Sequence, residues 1–134
     1  MVVLENGQLA KNQYRKFKIK AIKGANDVGM MEEVLRRRLK HAAWPLPEVF
    51  VIDGGEGQVR RAQEILDEMK IKIPVIGLAK GFDRKQDRLV FATTEPAVIE
   101  ELSRGKEFFQ KARDEAHRFA VKYHRSVRGK KFLN

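Results

Sequence analysis

Asp53 is the side chain in this sequence best placed for chemistry. It follows the apolar run Val49-Phe50-Val51-Ile52 and precedes Gly54-Gly55. A carboxylate at the end of a buried strand stands where open α/β sheets bind ligands. Two glycines after it remove side-chain bulk, so that a metal ion or phosphate could approach, and they permit a sharp exit into a helix. A plain strand-to-helix turn would use the same three residues, so Asp-Gly-Gly alone does not separate the two readings. His117 and His124 are seven apart in a helical segment and project in nearly the same direction, with Arg113 one turn before His117. A neutral imidazole there could bind a divalent metal or activate water. A histidine at the margin of a helix is, however, more often structural. Asp27, at a helix start, reads by default as a cap. Lys80 ends a second apolar run and falls on the same sheet edge as Asp53, where an ammonium could stabilise phosphate charge or simply be solvated. The sequence has no Walker loop, dinucleotide fingerprint, zinc-ligand spacing or nucleophilic-serine motif.

The elements that must position these residues follow from periodicity. Met1 to Leu4 is apolar, and Asn6-Gly7 is a hairpin turn signal. Tyr14 to Lys20 alternates, with Phe17 and Ile19 inward and Lys16, Lys18 and Lys20 outward. Asn26 or Asp27 caps a helix predicted to run to about His41, with Val28, Met31, Val34, Leu35 and Leu39 on one face. Trp44-Pro45-Leu46-Pro47 stops it. The unbroken apolar run 49–52 predicts a strand buried on both faces. A helix from about Gly57 to Lys70 and a second buried strand, Pro74 to Ala79, complete a βαβ unit, so the two strands should be parallel. After a polar excursion from Gly81 to Gln86 come a short strand, Arg88 to Phe91, a short helix, Glu95 to Leu102, and a long helix from Gly105 to about Val127.

The chain has 134 residues and a formal net charge of +10, from 28 basic and 18 acidic side chains. Such an excess favours a polyanionic partner, nucleic acid first. Gln8 to Lys23 holds six basic residues and no acidic one, Arg104 to Lys131 holds ten against three, and Arg36-Arg37-Arg38 form a third cluster. Three solvated faces of a basic protein would give the same counts. Without cysteine, disulfides and thiolate metal sites are excluded. No apolar run approaches a membrane span, and the start lacks a signal-peptide layout, so a soluble, cytoplasmic protein without a membrane partner is expected.

The segments Asn26-Asp27, Glu33-Val34-Leu35-Arg36-Arg37-Arg38, Val51-Ile52-Asp53-Gly54-Gly55-Glu56-Gly57-Gln58, Gly77-Leu78-Ala79-Lys80 and Arg113-Asp114-Glu115-Ala116-His117-Arg118-Phe119-Ala120 also form a pattern together. In order and spacing they closely resemble the C-terminal nuclease domain of the UvrC family of DNA-incising excinucleases, as does Tyr123-His124-Arg125 after them. The resemblance covers nearly the whole chain. It implies an α/β fold, a ribonuclease H-like mixed sheet flanked by helices. It also implies metal-dependent phosphodiester hydrolysis with Mg2+ or Mn2+ as cofactor, making the incision on the 5′ side of a DNA lesion. The family uses two aspartates and a histidine. The second aspartate corresponds to Asp53 and the histidine to His117, while Asp27 matches a further acidic position. The family's first aspartate lies on a strand just before the segment resembling Met1 to Gly7, so the first, central strand is expected to be missing here.

Residues 1–128 are accordingly expected to form the nuclease domain and 129–134 a basic tail. Asp53 and His117 are the expected catalytic and metal-holding residues, with Asp27, Lys80 and Arg113 in a second rank. Lys16, Lys18, Lys20, Arg118 and Arg125 are expected to track the DNA backbone. Partners implied by the resemblance are damaged duplex DNA and the other excinuclease subunits, although the segment that contacts the helicase subunit has no counterpart here. The unfilled sheet position is expected to favour self-association, and one carboxylate fewer to leave the chain feebly active or inactive. The rival reading is a non-catalytic nucleic-acid-binding remnant.

Overall fold

The computed structural model describes residues 1, 4–5, 8–9 and 27–133, with side chains for Met1 and residues 28–122. The chain divides into two compact units, residues 1–18 with 107–134, and residues 19–106.

The unit of residues 19–106 contains a mixed sheet of β3 (Phe50–Asp53), β4 (Val75–Ala79) and β5 (Arg88–Phe91), in the order β3-β4-β5. β3 and β4 are parallel, as the βαβ reading predicts, and β5 runs antiparallel to β4. Its helices are α1 (Asp27–Lys40), α2 (Glu56–Glu68) and α3 (Pro96–Ser103). Strand alternation sorts the side chains. Phe50, Ile52, Val75, Ala79 and Val90 join Val59, Ala62, Ile65 and Leu66 of α2 and Leu35 of α1 in one core. Ile76 and Leu78 point to the opposite face and are fully buried as well. β4 is thus buried on both faces, as expected from its apolar run.

β3 departs from that expectation. Phe50, Val51 and Ile52 are only half-buried. β3 pairs with β4 alone, and no described strand lies along its outer side, so it is an edge strand of the described sheet. A run of four apolar residues looks the same in sequence whether its strand is central or at an edge.

α1 is fixed to α2 by charge as well as by apolar packing. Arg61 holds the Glu32 carboxylate with two guanidinium nitrogens, at 2.5 and 3.0 Å. Arg36 bridges Glu32 at 3.1 Å and Glu68 at 3.0 Å. These neighbours, Arg61 first, hold the Glu32 carboxyl down to about 2. The rest of the arginine cluster is engaged internally too. Arg37 pairs with Glu33 at 3.4 Å. Arg38 is buried, donates to the Pro45 carbonyl at 2.5 Å and lies over the Trp44 ring, on which His41 stacks at 3.8 Å. Counted in the sequence as a possible polyanion contact, Arg36 to Arg38 instead hold the end of α1 and its junction with α2.

In the unit of residues 1–18 and 107–134, β1 (Leu4–Glu5) pairs antiparallel with β2 (Gln8–Leu9). Leu4 faces Leu9 and Glu5 faces Gln8, on either side of the turn signal Asn6-Gly7; the pairing strand is Gln8–Leu9, which the sequence reading did not name. The alternating segment Tyr14 to Lys20 lies outside the described residues. α4 spans Lys106–Leu133, beginning at the last residue of the 19–106 unit and passing well beyond the predicted end near Val127.

Candidate active site

Asp53 is the last residue of β3, and its side chain is exposed. The register puts it opposite Leu78, on the sheet face away from α2. Three contacts fix the turn that follows. Gly55 is the N-cap of α2, and its backbone N–H donates to Gln58 Oε1 at 3.2 Å. This is the returning half of a capping box; glycine has no side chain to make the other half. A Cβ on Gly54 would stand 2.7 Å from Gln58 Cδ, so the glutamine folds over a bare backbone. Gly77 of β4 does the same from below: a Cβ there would meet Val59 Cγ2 at 2.4 Å and the Gly54 carbonyl at 2.8 Å. The absence of a side chain at Gly77 lets the turn and the first turn of α2 rest directly on β4. At Gly55 a Cβ would meet nothing within 4 Å, so the space beside the turn is open.

The same sheet edge carries Lys80, exposed just after β4, because β3 and β4 are parallel. Residues 81–87 then return the chain to β5. Arg88 at the start of β5 pairs with Glu56 in the first turn of α2 at 3.4 Å, with both side chains well exposed. The edge therefore presents the Asp53 carboxylate together with Lys80, Glu56 and Arg88. Among the described residues no three His, Cys, Asp or Glu side chains gather closely enough to hold a metal. Asp53 supplies one ligand, not a complete cage. Mg2+ commonly binds through one or two carboxylates together with substrate phosphates and water, so this donor is compatible with it only as part of a larger set.

Arg113, His117 and Arg118 lie on α4, in the unit of residues 1–18 and 107–134. His117 is exposed and lines an open depression of about 500 Å³ with Asp114, Arg118, Val121 and Lys122. Arg113 pairs with Asp114 at 3.5 Å. Arg118 pairs with Glu115, one turn earlier on the same helix. Asp27 is the first residue of α1, but its side chain lies outside the described residues, as do those of His124 and Arg125. Lys16, Lys18 and Lys20 lie outside the described residues altogether. The structure thus brings Asp53 and Lys80 to one edge and puts Arg113, His117 and Arg118 along one helix.

Reasoning from sequence missed three positioning residues. Gln58 had a signal, since a glutamine three residues after a helix N-cap is the capping-box spacing. Gly77 had none, because the close approach it permits is a matter of tertiary packing. Asp87 had none either. It is buried and accepts the Gly81 N–H at 2.8 Å, which closes the loop after Lys80.

Comparison with known proteins gives the family. The family described as the UvrC RNAse H endonuclease domain matches residues 1–121. The chain is 43% identical over 136 residues to UvrABC system protein C of Chlorobium chlorochromatii (strain CaD3), a match covering 99% of this chain and 21% of that protein. It is 42% identical over 137 residues to UvrABC system protein C of Streptococcus thermophilus (strain CNRZ 1066), covering 97% of this chain and 23% of that protein. The chain therefore spans about a fifth of the length of these relatives. Matched by the family over residues 1–121 and 43% identical to a relative over 99% of its length, this chain, with its βαβ unit, belongs to the UvrC ribonuclease H endonuclease domain family.

Proposed function

We propose that this chain is the part of a nucleotide excision repair endonuclease that hydrolyses a phosphodiester on the 5′ side of a DNA lesion, using Mg2+ or Mn2+. The observation that carries this reading is Asp53: an exposed carboxylate at the carboxyl end of β3, beside an open glycine turn, in a chain of an endonuclease domain family. The Asp53 carboxylate would hold the cation. A bound divalent cation polarises the phosphate and lowers the pKa of water. Asp53 is held for that task by the Gln58–Gly55 hydrogen bond and by the packing of Gly54 on Gly77. Lys80 would offset phosphate charge at the same edge. His117 would hold a metal ion or move a proton, the two roles that the resemblance gives it.

Damaged duplex DNA is the proposed substrate, contacted along its backbone, with the other excinuclease subunits as partners in the cytoplasm. No helix among the described residues is long and apolar enough to cross a membrane. With no cluster of three possible metal donors among the described residues, cleavage by the chain alone is expected to be slow. The specific alternative is a module that binds DNA without cutting it, favoured by the absence of a three-donor cluster among the described residues. Single-turnover nicking of a damage-bearing duplex, with protein in excess, separates the two. Slow nicking that needs Mg2+ or Mn2+ and disappears in Asp53→Asn supports the nuclease. DNA binding with no metal-dependent nicking at any protein concentration supports the binding module.

A further inference from the structure

Phe82 is 96% exposed, the most exposed of the large apolar side chains described. It sits in the short connection between β4 and β5, in the sequence Lys80-Gly81-Phe82-Asp83-Arg84-Lys85-Gln86. A lone apolar side chain on a surface is ordinary. This one differs in how firmly its loop is built and in what surrounds it. The buried carboxylate of Asp87 accepts the Gly81 N–H at 2.8 Å. Asp83 Oδ1 accepts the N–H groups of Lys85 and Gln86 at 2.9 and 3.0 Å, and the Asp83 carbonyl accepts those of Gln86 and Asp87 at 3.0 and 3.1 Å. A Cβ on Gly81 would come within 2.3 Å of the Gln86 backbone, so the two ends of the loop are in direct contact. Lys106 closes the back by donating to the Lys85 carbonyl at 3.2 Å. The backbone thus holds an aromatic ring out in solvent.

Charge gives the ring a context. Lys80, Arg84 and Lys85 are exposed around it. The loop's two acidic side chains, Asp83 and Asp87, are both turned onto backbone N–H groups. An aromatic side chain on a hydrogen-bonded loop, flanked by exposed cations, is the combination that binds single-stranded nucleic acid: cations follow the phosphates and the ring stacks on a base. The loop springs from the same carboxyl edge of the sheet as Asp53, because β3 and β4 are parallel. A strand held on the loop would therefore be presented at the edge that carries the carboxylate.

We propose that residues 80–86 form a DNA-holding loop in which Phe82 stacks on an unpaired base while Lys80 and Lys85 engage flanking phosphates. The proposal rests on the nuclease reading for its substrate. It adds that the site takes locally unpaired rather than fully paired DNA. A membrane surface fits less well, because one ring offers little apolar area.

The test measures binding of the full chain to three fluorescein-labelled probes: a fully paired duplex, the same duplex with an unpaired bubble, and a single strand. Phe82→Ala should weaken binding to the bubble and single strand by roughly tenfold, the scale of one lost base–aromatic stack. It should leave the paired duplex and the salt slope unchanged. Lys80→Gln with Lys85→Gln should weaken all three and flatten the slope. Phe82→Trp should retain binding, and its emission, taken as the difference from the protein carrying Trp44 alone, should be quenched by the bubble. Equal binding of wild type and Phe82→Ala to every probe would overturn the loop while leaving the nuclease reading intact. Absence of binding to any probe at low salt would overturn both. If Phe82→Ala altered only the sedimentation of the chain, the ring would belong to a protein contact and the proposal would fall.

Discussion

At Gly77 a single missing side chain decides how close the turn carrying Asp53 comes to β4. In Gly77→Ala the new methyl would meet Val59 and the Gly54 carbonyl, and the carbonyl cannot move without moving the turn. We expect a loss of about 1–3 kcal/mol, the usual cost of overpacking, read as a lower urea midpoint. Gly55→Ser makes the opposite case. There is room for the side chain, and a serine oxygen can accept from the first-turn amides of α2, so stability should rise by about a few tenths of a kcal/mol. Asp53 was legible in the sequence because a strand end followed by paired glycines is a local signal. Gly77 and Asp87 were not, because what they do depends on residues brought close only by folding.

Elements show the same division. The order of strands and helices from α1 to α4 and the parallel pairing of β3 with β4 were legible from periodicity and the βαβ rule. The exposure of β3 was not, because an apolar run does not state how many neighbours its strand has. Phe50 donates its backbone N–H to Pro74 at 3.0 Å, so the alternation of a strand turns the Val51 N–H toward the outer edge. Val51→Pro should therefore spare the ladder with β4 while blocking any further strand at that edge. We expect the wild-type chain to associate with rising concentration through this edge and Val51→Pro to do so markedly less, as measured by sedimentation velocity.

The α1–α2 junction carries the pH dependence. Arg61 and Arg36 lower the Glu32 carboxyl from 4.5 to about 2. A depressed carboxyl stabilises the folded state at pH above its unfolded value, and that contribution is lost as pH falls from about 4.5 toward 2. The stability difference between wild type and Glu32→Gln should therefore be full at pH 6 and shrink steadily below pH ~4.5. A difference unchanged down to pH ~2.5 would show that the junction does not depend on the ionised carboxylate.

For the molecule as a whole, charge was the plainest feature of the sequence and the least specific. A net charge of +10 predicts weak DNA binding that is indifferent to sequence and falls steeply with salt. It does not say which cations touch DNA: Arg36, Arg37 and Arg38 proved to be engaged within the fold. Replacing Lys16, Lys18 and Lys20 together with alanine should weaken duplex binding and reduce the slope of log affinity against log salt by up to about 3, one counterion for each lost phosphate contact. An unchanged slope would remove this segment from the DNA face.

We propose that a divalent cation enters this fold at Asp53, and locating Mn2+ tests this most directly. Mn2+ titrated into the isotope-labelled chain with a short duplex should broaden first the backbone amide signals of Asp53, Gly54 and Gly55. The effect should vanish in Asp53→Asn without a change in the rest of the spectrum. Broadening centred elsewhere, or undiminished in Asp53→Asn, would contradict the account.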